Sequence, residues 1–154
     1  MNRGYKDNEQ ETIKAITPDG WLRTGDLGYL DENGYLYIYD RLKDLIKYKG
    51  LQIAPAEIEA LLISRSEILD AAVIGLPDPQ VPGNEIPRAF VVRRLQGKQL
   101  TVEEIQHFVR TNLAAHKQLR GGVEFIDEIP RNPSGKILHR KLLETVPKPR
   151  QVRL

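Results

Sequence analysis

Three short stretches of this 154-residue chain combine residue types that can do chemistry. The first is Gly20-Trp21-Leu22-Arg23-Thr24-Gly25-Asp26-Leu27-Gly28. An aspartate after a glycine, in a glycine-flanked turn, can present its carboxylate outside regular structure. A carboxylate accepts two hydrogen bonds at once, which suits the paired hydroxyls of a ribose. The same Asp26 could equally cap its own turn. The second stretch runs from Asp40 to Gly50 and holds Arg41, Lys43, Lys47 and Lys49, four cations within nine residues. Strand alternation puts Lys47 and Lys49 on one face and Tyr48 on the other. That pattern fits a solvated basic hairpin or a weak RNA patch. The third stretch is Pro130-Arg131-Asn132-Pro133-Ser134-Gly135-Lys136-Ile137. A lysine just after a Pro/Gly turn can reach away from its own domain, and its point charge suits phosphate or carboxylate oxygens. An exposed loop lysine without a ligand is the plain alternative.

Composition narrows the field. Lys plus Arg number 23 and Asp plus Glu 21, a net charge of +2. That balance gives no reason to expect nucleic-acid or anionic-membrane binding, and it counts against the RNA patch. Charged residues make up 29%, near the roughly 25% of globular domains. There is no cysteine, so disulfides, thiolate metal sites and cysteine nucleophiles are excluded. His107, His116 and His139 have no metal-ligand spacing. Gly135-Lys136 is followed by Ile137 rather than Ser or Thr, so the phosphate loop of nucleotide-binding enzymes is missing. GxGxxG and GxSxG are absent as well. The first residues lack the apolar core of a signal peptide. No apolar run approaches the ~18 residues of a membrane span. These features lead us to expect a cytoplasmic chain. Gln151-Val152-Arg153-Leu154 only faintly echoes a peroxisomal address, with Val152 where a small residue is wanted.

Elements must position those stretches. The chain to about Asp40 reads as turns and strands. Asn33-Gly34 before Tyr35-Leu36-Tyr37-Ile38-Tyr39 predicts a hairpin closed by a type I′ turn. Leu45–Ile53 predicts an extended segment bent at Gly50. Pro55 suits a helix start, and Ile58, Leu61 and Leu62 carry one apolar face to about Arg65. Ala71–Leu76 and Ala89–Arg94 predict strands, joined by a breaker-rich loop. Thr101 and Glu104 form a capping-box pattern that opens a helix over Val102–Leu113. A strand at Val123–Ile126, a turn at Asn132–Gly135 and a short helix over Leu138–Glu144 complete the pattern. The fold class is α+β, a small mixed sheet with flanking helices after a β-rich leader. The expected segments are 1–40, 41–145 and a loose tail, 146–154.

Taken together and in this order, the stretches resemble the C-terminal part of the adenylate-forming, or AMP-binding, enzymes. The similarity runs from Gly4-Tyr5 to Leu143. Its most specific part is GWLRTGDLGYLDENGYLYIYDRLKDLIKYKGLQIAPAEIE. Arg41-Leu42-Lys43-Asp44-Leu45-Ile46-Lys47-Tyr48-Lys49-Gly50 is most similar to the branch of 4-coumarate–CoA ligases, acyl-CoA synthetases and luciferases. Lys117–Val123 and Pro133-Ser134-Gly135-Lys136 fit the same branch. His139 departs from the arginine many relatives carry.

The resemblance implies an acid–CoA ligase working in two steps. A carboxylic acid attacks ATP to give acyl-adenylate and pyrophosphate, and CoA then displaces AMP. It implies a mobile C-terminal lid domain over residues 41–145, preceded by a β-rich end of a large AMP-binding domain in residues 1–40. The lid would turn between the two steps. In this frame Asp26 holds the ribose of ATP, Arg41 assists, and Lys43 sits at the hinge and can meet the nucleotide. Lys136 is the adenylation lysine. Lys47 and Gln52 belong to the face used in the other conformation. Lys49 and Gly50 are the CoA contacts. Mg²⁺ is expected with ATP but without a ligand from this chain. The implied partners are a small carboxylic acid, ATP, CoA and a large N-terminal domain, in cis or in trans. A non-catalytic CoA- or partner-binding module, or a lid acting in trans, is the alternative expectation.

Overall fold

The computed structural model describes residues 4–94 and 100–146. The expected tail beyond Val146, with its weak peroxisomal echo, lies outside them. The chain forms two compact units, Met1–Lys43 and Asp44–Leu154.

The first unit holds a helix, α1 (Glu9–Ala15), and a hairpin of β1 (Asp26–Leu30) and β2 (Leu36–Arg41). The helix corrects the expectation of turns and strands alone. Its signal is the Asn8 cap, whose side chain accepts from the Glu11 N–H. No residue of α1 is buried, so no apolar stripe announced it. The hairpin is present, but its turn differs from the expected one. Leu30 pairs with Leu36, which leaves five residues in the loop. The Gly34 N–H bonds the Asp31 carbonyl. Only Gly34 there has a positive φ, of 83°. The loop is therefore a type I turn closed by a left-handed glycine. The Asp31 carboxylate holds it by accepting from the N–H groups of Asn33 and Tyr35. Tyr29 and Tyr37 stack across the strands at 5.1 Å. Yet Leu30, Tyr35, Leu36 and Ile38 stay exposed, with 68% of Leu30 open to solvent.

The second unit is built on a three-stranded mixed sheet. Its strands are β5 (Ile68–Pro77), β6 (Glu85–Arg93) and β7 (Val123–Phe125). β5 and β6 are antiparallel, whereas β7 runs parallel to β6. Ahead of the sheet come β3 (Ile46–Tyr48), β4 (Leu51–Ile53) and α2 (Pro55–Ile63). α3 (Val102–Asn112) and α4 (His139–Thr145) follow in the chain, with a 3₁₀ turn at Ala115–Lys117 between them. α2 stops two residues short of the expected Arg65. Leu61, which the spacing put on its apolar face, is only partly buried. α3 has the expected capping box, with Thr101 and Glu104 bonding each other's backbone.

Alternation along β5 and β6 makes two cores. Ala71, Val73, Ala89 and Val91 face one, with Ile58, Leu62, Ile105 and Val109 from the helices. Ala72, Ile74, Phe90 and Val92 face the other, with Ile129 and Leu142. A sheet covered on both faces needs a continuous apolar run rather than an alternating one. Each buried Ile, Leu or Phe contributes roughly 1.5–3 kcal/mol. Among the described residues, no helix is long and apolar enough to cross a membrane.

Candidate functional site

In the first unit, Asp26 is not in a free turn. It opens β1 and lies opposite Arg41 in the hairpin register. The Arg41 Nε is 3.2 Å from Asp26 Oδ1. Oδ2 has no partner among the described residues, so it remains able to accept from a hydroxyl donor. The Leu42 N–H bonds the Gly25 carbonyl at 2.8 Å. That bond returns the chain after β2 to the residue just before Asp26. Lys43 is the last residue of the unit and lies within the 3₁₀ turn Leu42–Asp44.

In the second unit, β3 and β4 form a two-residue hairpin, with Tyr48 paired to Leu51. Its turn is Lys49-Gly50, with φ of 48° and 77°. Two positive φ values define the type I′ turn that the right-handed twist of the strands requires. This corrects the placement of Lys49 on a strand face. It projects from the turn, while Lys47 and Gln52 are cross-strand partners. Lys47 is exposed and Tyr48 is 7% exposed. The hairpin is braced from the start of β6. The Lys47 N–H donates to Glu85 Oε2 at 2.9 Å. The Lys49 N–H donates to Asn84 Oδ1 at 2.8 Å. A β3–β4 pair alone would be marginal in water, so these bonds fix where its side chains point.

Lys136 sits on a separate loop. Arg131 and Ile137 form an isolated antiparallel bridge. Asn132 Oδ1 accepts from the Lys136 N–H and from the Ser134 hydroxyl, both at 2.8 Å. Arg131 Nη2 reaches both oxygens of Asp70 on β5 at 2.9 Å, and its Nη1 bonds the Gly135 carbonyl. One guanidinium thus ties the lysine-bearing turn to the central sheet. An exposed pair of this kind is worth only about 0.2–1 kcal/mol, so its main effect is on loop order. We expect Asp70→Ala to leave the unit folded. The NMR order parameter of the Lys136 amide should fall from about 0.85 toward 0.6. An unchanged value would remove Asp70 from this role.

The structure brings the expected residues together in three groups. These are Asp26 with Arg41, the hairpin set Lys47, Lys49, Gly50 and Gln52, and Lys136 alone. Among the described residues, no hydrogen bond or ion pair joins Lys136 to the hairpin. The reading of the sequence missed Asn84, Glu85, Asp70 and Arg131 as supports. Their partners lie 35 to 61 residues away in the chain, and no local pattern encodes such pairs. Among the described residues, no group of three His, Cys, Asp or Glu side chains converges on a metal position.

A mixed-sheet unit with two lysine-bearing turns, each braced from the central sheet, defines the class. Residues 57–136 match the family described as AMP-binding enzyme C-terminal domain, and the chain belongs to that family. It is 50% identical over 142 residues to peroxisomal OPC-8:0-CoA ligase 1 of Arabidopsis thaliana, covering 92% of this chain and 25% of that protein. Luciferin 4-monooxygenase of Luciola mingrelica is 47% identical over 146 residues, with 95% and 26% covered. The fold overlays ATP-bound MatB from Rhodopseudomonas palustris with a TM-score of 0.84 at 34% identity, over 93% of this chain and 28% of that one. It overlays o-succinylbenzoate CoA synthetase from Bacillus subtilis, in complex with an acyl-adenylate, at 0.77 and 35%, over 91% and 28%. The chain spans about a quarter of the length of the curated relatives it matches.

Proposed function

We propose that this chain is the C-terminal portion of an acid–CoA ligase, carrying the lid and the end of the large domain. The observation that supports it best is the separate bracing of two cationic turns on one small unit. Two cationic turns on separate supports suit a lid that presents different faces in two successive reactions.

In the first reaction a substrate carboxylate attacks the α-phosphorus of ATP and pyrophosphate leaves. Lys136 holds the negative charge shared by the attacking carboxylate and the phosphoryl oxygens. Asp26 accepts from the ribose hydroxyls, and Arg41 holds that carboxylate in its orientation. In the second reaction the CoA thiol attacks the acyl carbonyl and AMP leaves. The hairpin now faces the site. Gly50 has no side chain to obstruct the pantetheine arm. Lys49 meets the phosphates of CoA, and Lys47 and Gln52 contact the adenylate end. Lys43, at the end of the first unit, is the pivot. Mg²⁺ would arrive with ATP, and we assign it no ligand on this chain. The exposed Leu30, Tyr35, Leu36 and Ile38 are the surface a large N-terminal domain in cis would cover. The chain is similar both to a CoA ligase and to a luciferin 4-monooxygenase, so we place the choice of acid outside it.

The test uses the full-length protein with a panel of carboxylic acids. Acid-dependent exchange of pyrophosphate into ATP, followed by thioester formation on adding CoA, supports the reading. Binding of CoA without either reaction would instead support a non-catalytic module.

A further inference from the structure

His139 is the first residue of α4, just beyond the Lys136 loop. Its Nδ1 lies 3.8 Å from Oδ1 of Asp44, within ion-pair range but beyond a hydrogen bond. Both side chains are largely withdrawn from water, with 29% of His139 and 21% of Asp44 exposed. Asp44 is the first residue of the second unit and closes the 3₁₀ turn Leu42–Asp44. Its carboxylate has no other hydrogen bond or ion pair among the described residues. α4 is itself anchored, because Leu142 is buried in the second core. The pair therefore joins the start of this unit to a fixed helix. The other charges around α4 are paired or turned to solvent. β5, on which α4 packs, carries Asp70, which Arg131 holds. On α4 itself, Arg140 pairs with Glu144. Lys43, Asp127, Glu128, Lys136 and Lys141 are exposed. Asp44 is the acid that the imidazole meets.

We propose that His139 and Asp44 form a pH-sensitive tether on the first residue of the lid, closed when the imidazole is protonated and open when it is neutral. The proposal rests on the reading of Lys43 as the pivot of a ligase lid, and gives that pivot a control. A hinge absorbs its φ and ψ changes over a few residues. Asp44 lies one peptide bond beyond Lys43. Held against α4, Asp44 cannot share in those changes, and the lid must turn on fewer torsions. Released, it adds its own. Histidine is the side chain whose charge ordinarily changes between about pH 5 and 8. The imidazolium attracts the carboxylate, whereas the neutral ring offers only a weak polar contact at this distance. Acid therefore closes the tether and slows the lid, and rising pH frees it. Arginine in the same place would keep its charge throughout.

The experiment uses the full-length protein and follows single-turnover conversion of enzyme-bound acyl-adenylate to thioester, at saturating CoA, from about pH 5.5 to about pH 8. Each rate is divided by that of His139→Arg, whose charge is permanent, so that ionisation of the CoA thiol cancels. The wild-type ratio should rise about two- to fivefold with pH, the worth of a part-exposed ion pair. His139→Gln and Asp44→Asn lack the pair at every pH, so their ratios should stay flat. A flat wild-type ratio would overturn the proposal while thioester formation keeps the ligase reading. A rise that survives in Asp44→Asn would overturn it too, because His139 would then act through another group. The Leu45 amide signal, in protein carrying isotope-labelled leucine, gives a readout independent of turnover. It should shift across the same pH range in wild type and stay still in His139→Gln. A wild-type signal that ignores pH would mean that no tether opens. Absence of any wild-type thioester would remove the ligase reading and the effect on turning, and the Leu45 signal would still decide the tether.

Discussion

Lys136→Ala, in the full-length protein, is expected to slow acyl-adenylate formation by about 10²–10³-fold. Thioester formation from supplied acyl-adenylate and CoA should stay within about twofold. The asymmetry follows from where the lysine stands. It lies on a loop closed by Asn132 and tied to β5 through Arg131 and Asp70. No bond among the described residues links it to the β3–β4 hairpin. A cation fixed on one braced loop can serve one reaction without entering the other. The large effect on the first step arises because charge accumulates on the phosphoryl oxygens only as the bond forms. The loop itself should survive, because its hydrogen bonds use the Lys136 backbone and not its ammonium. Pyrophosphate exchange and single-turnover thioester formation, measured separately, check the claim. Equal loss in both reactions would show that Lys136 supports the lid as a whole and does not act in adenylation.

Residue patterns specified most of the second unit because its signals are local. The Thr101/Glu104 capping box and Pro55 at a helix start describe bonds made within one turn. The runs 71–74 and 89–92 are apolar on both faces, as a doubly covered sheet demands. The turns are less legible in the sequence. Asn33-Gly34 looks like a type I′ turn, but five residues separate the paired strands and Asp31 takes over the loop. The true type I′ turn is Lys49-Gly50, hidden because lysine is not a turn residue. α1 leaves no apolar stripe in the sequence because it buries nothing. Asp26 looked like a turn residue because pairing with Arg41 depends on strand register. Long-range contacts have no local signal, as Arg120 shows. Its approach to Tyr48, 72 positions earlier in the chain, exists only once the sheet has folded.

Lys49→Asn should make the chain more stable and, on the proposed function, weaken acceptor binding. Lysine at φ of 48° pays a steric penalty of about 1–2 kcal/mol, whereas asparagine is a preferred first residue of a type I′ turn. Relief of part of that strain is expected to add about 0.5–1 kcal/mol. Thermal unfolding would then shift upward by about 2–5 °C. The turn should keep its geometry, because the Asn84 bond uses the residue 49 N–H, which asparagine retains. The ammonium near Tyr48 is lost, so KM for CoA should rise about tenfold or more, while pyrophosphate exchange stays near wild type. Calorimetry and the two half-reactions measure these separately. A less stable variant would mean that Lys49 is there to hold the turn. An unchanged KM would mean that its charge is not spent on CoA. Gain of stability together with loss of acceptor affinity is the outcome expected of a residue whose backbone strain is kept for its side chain.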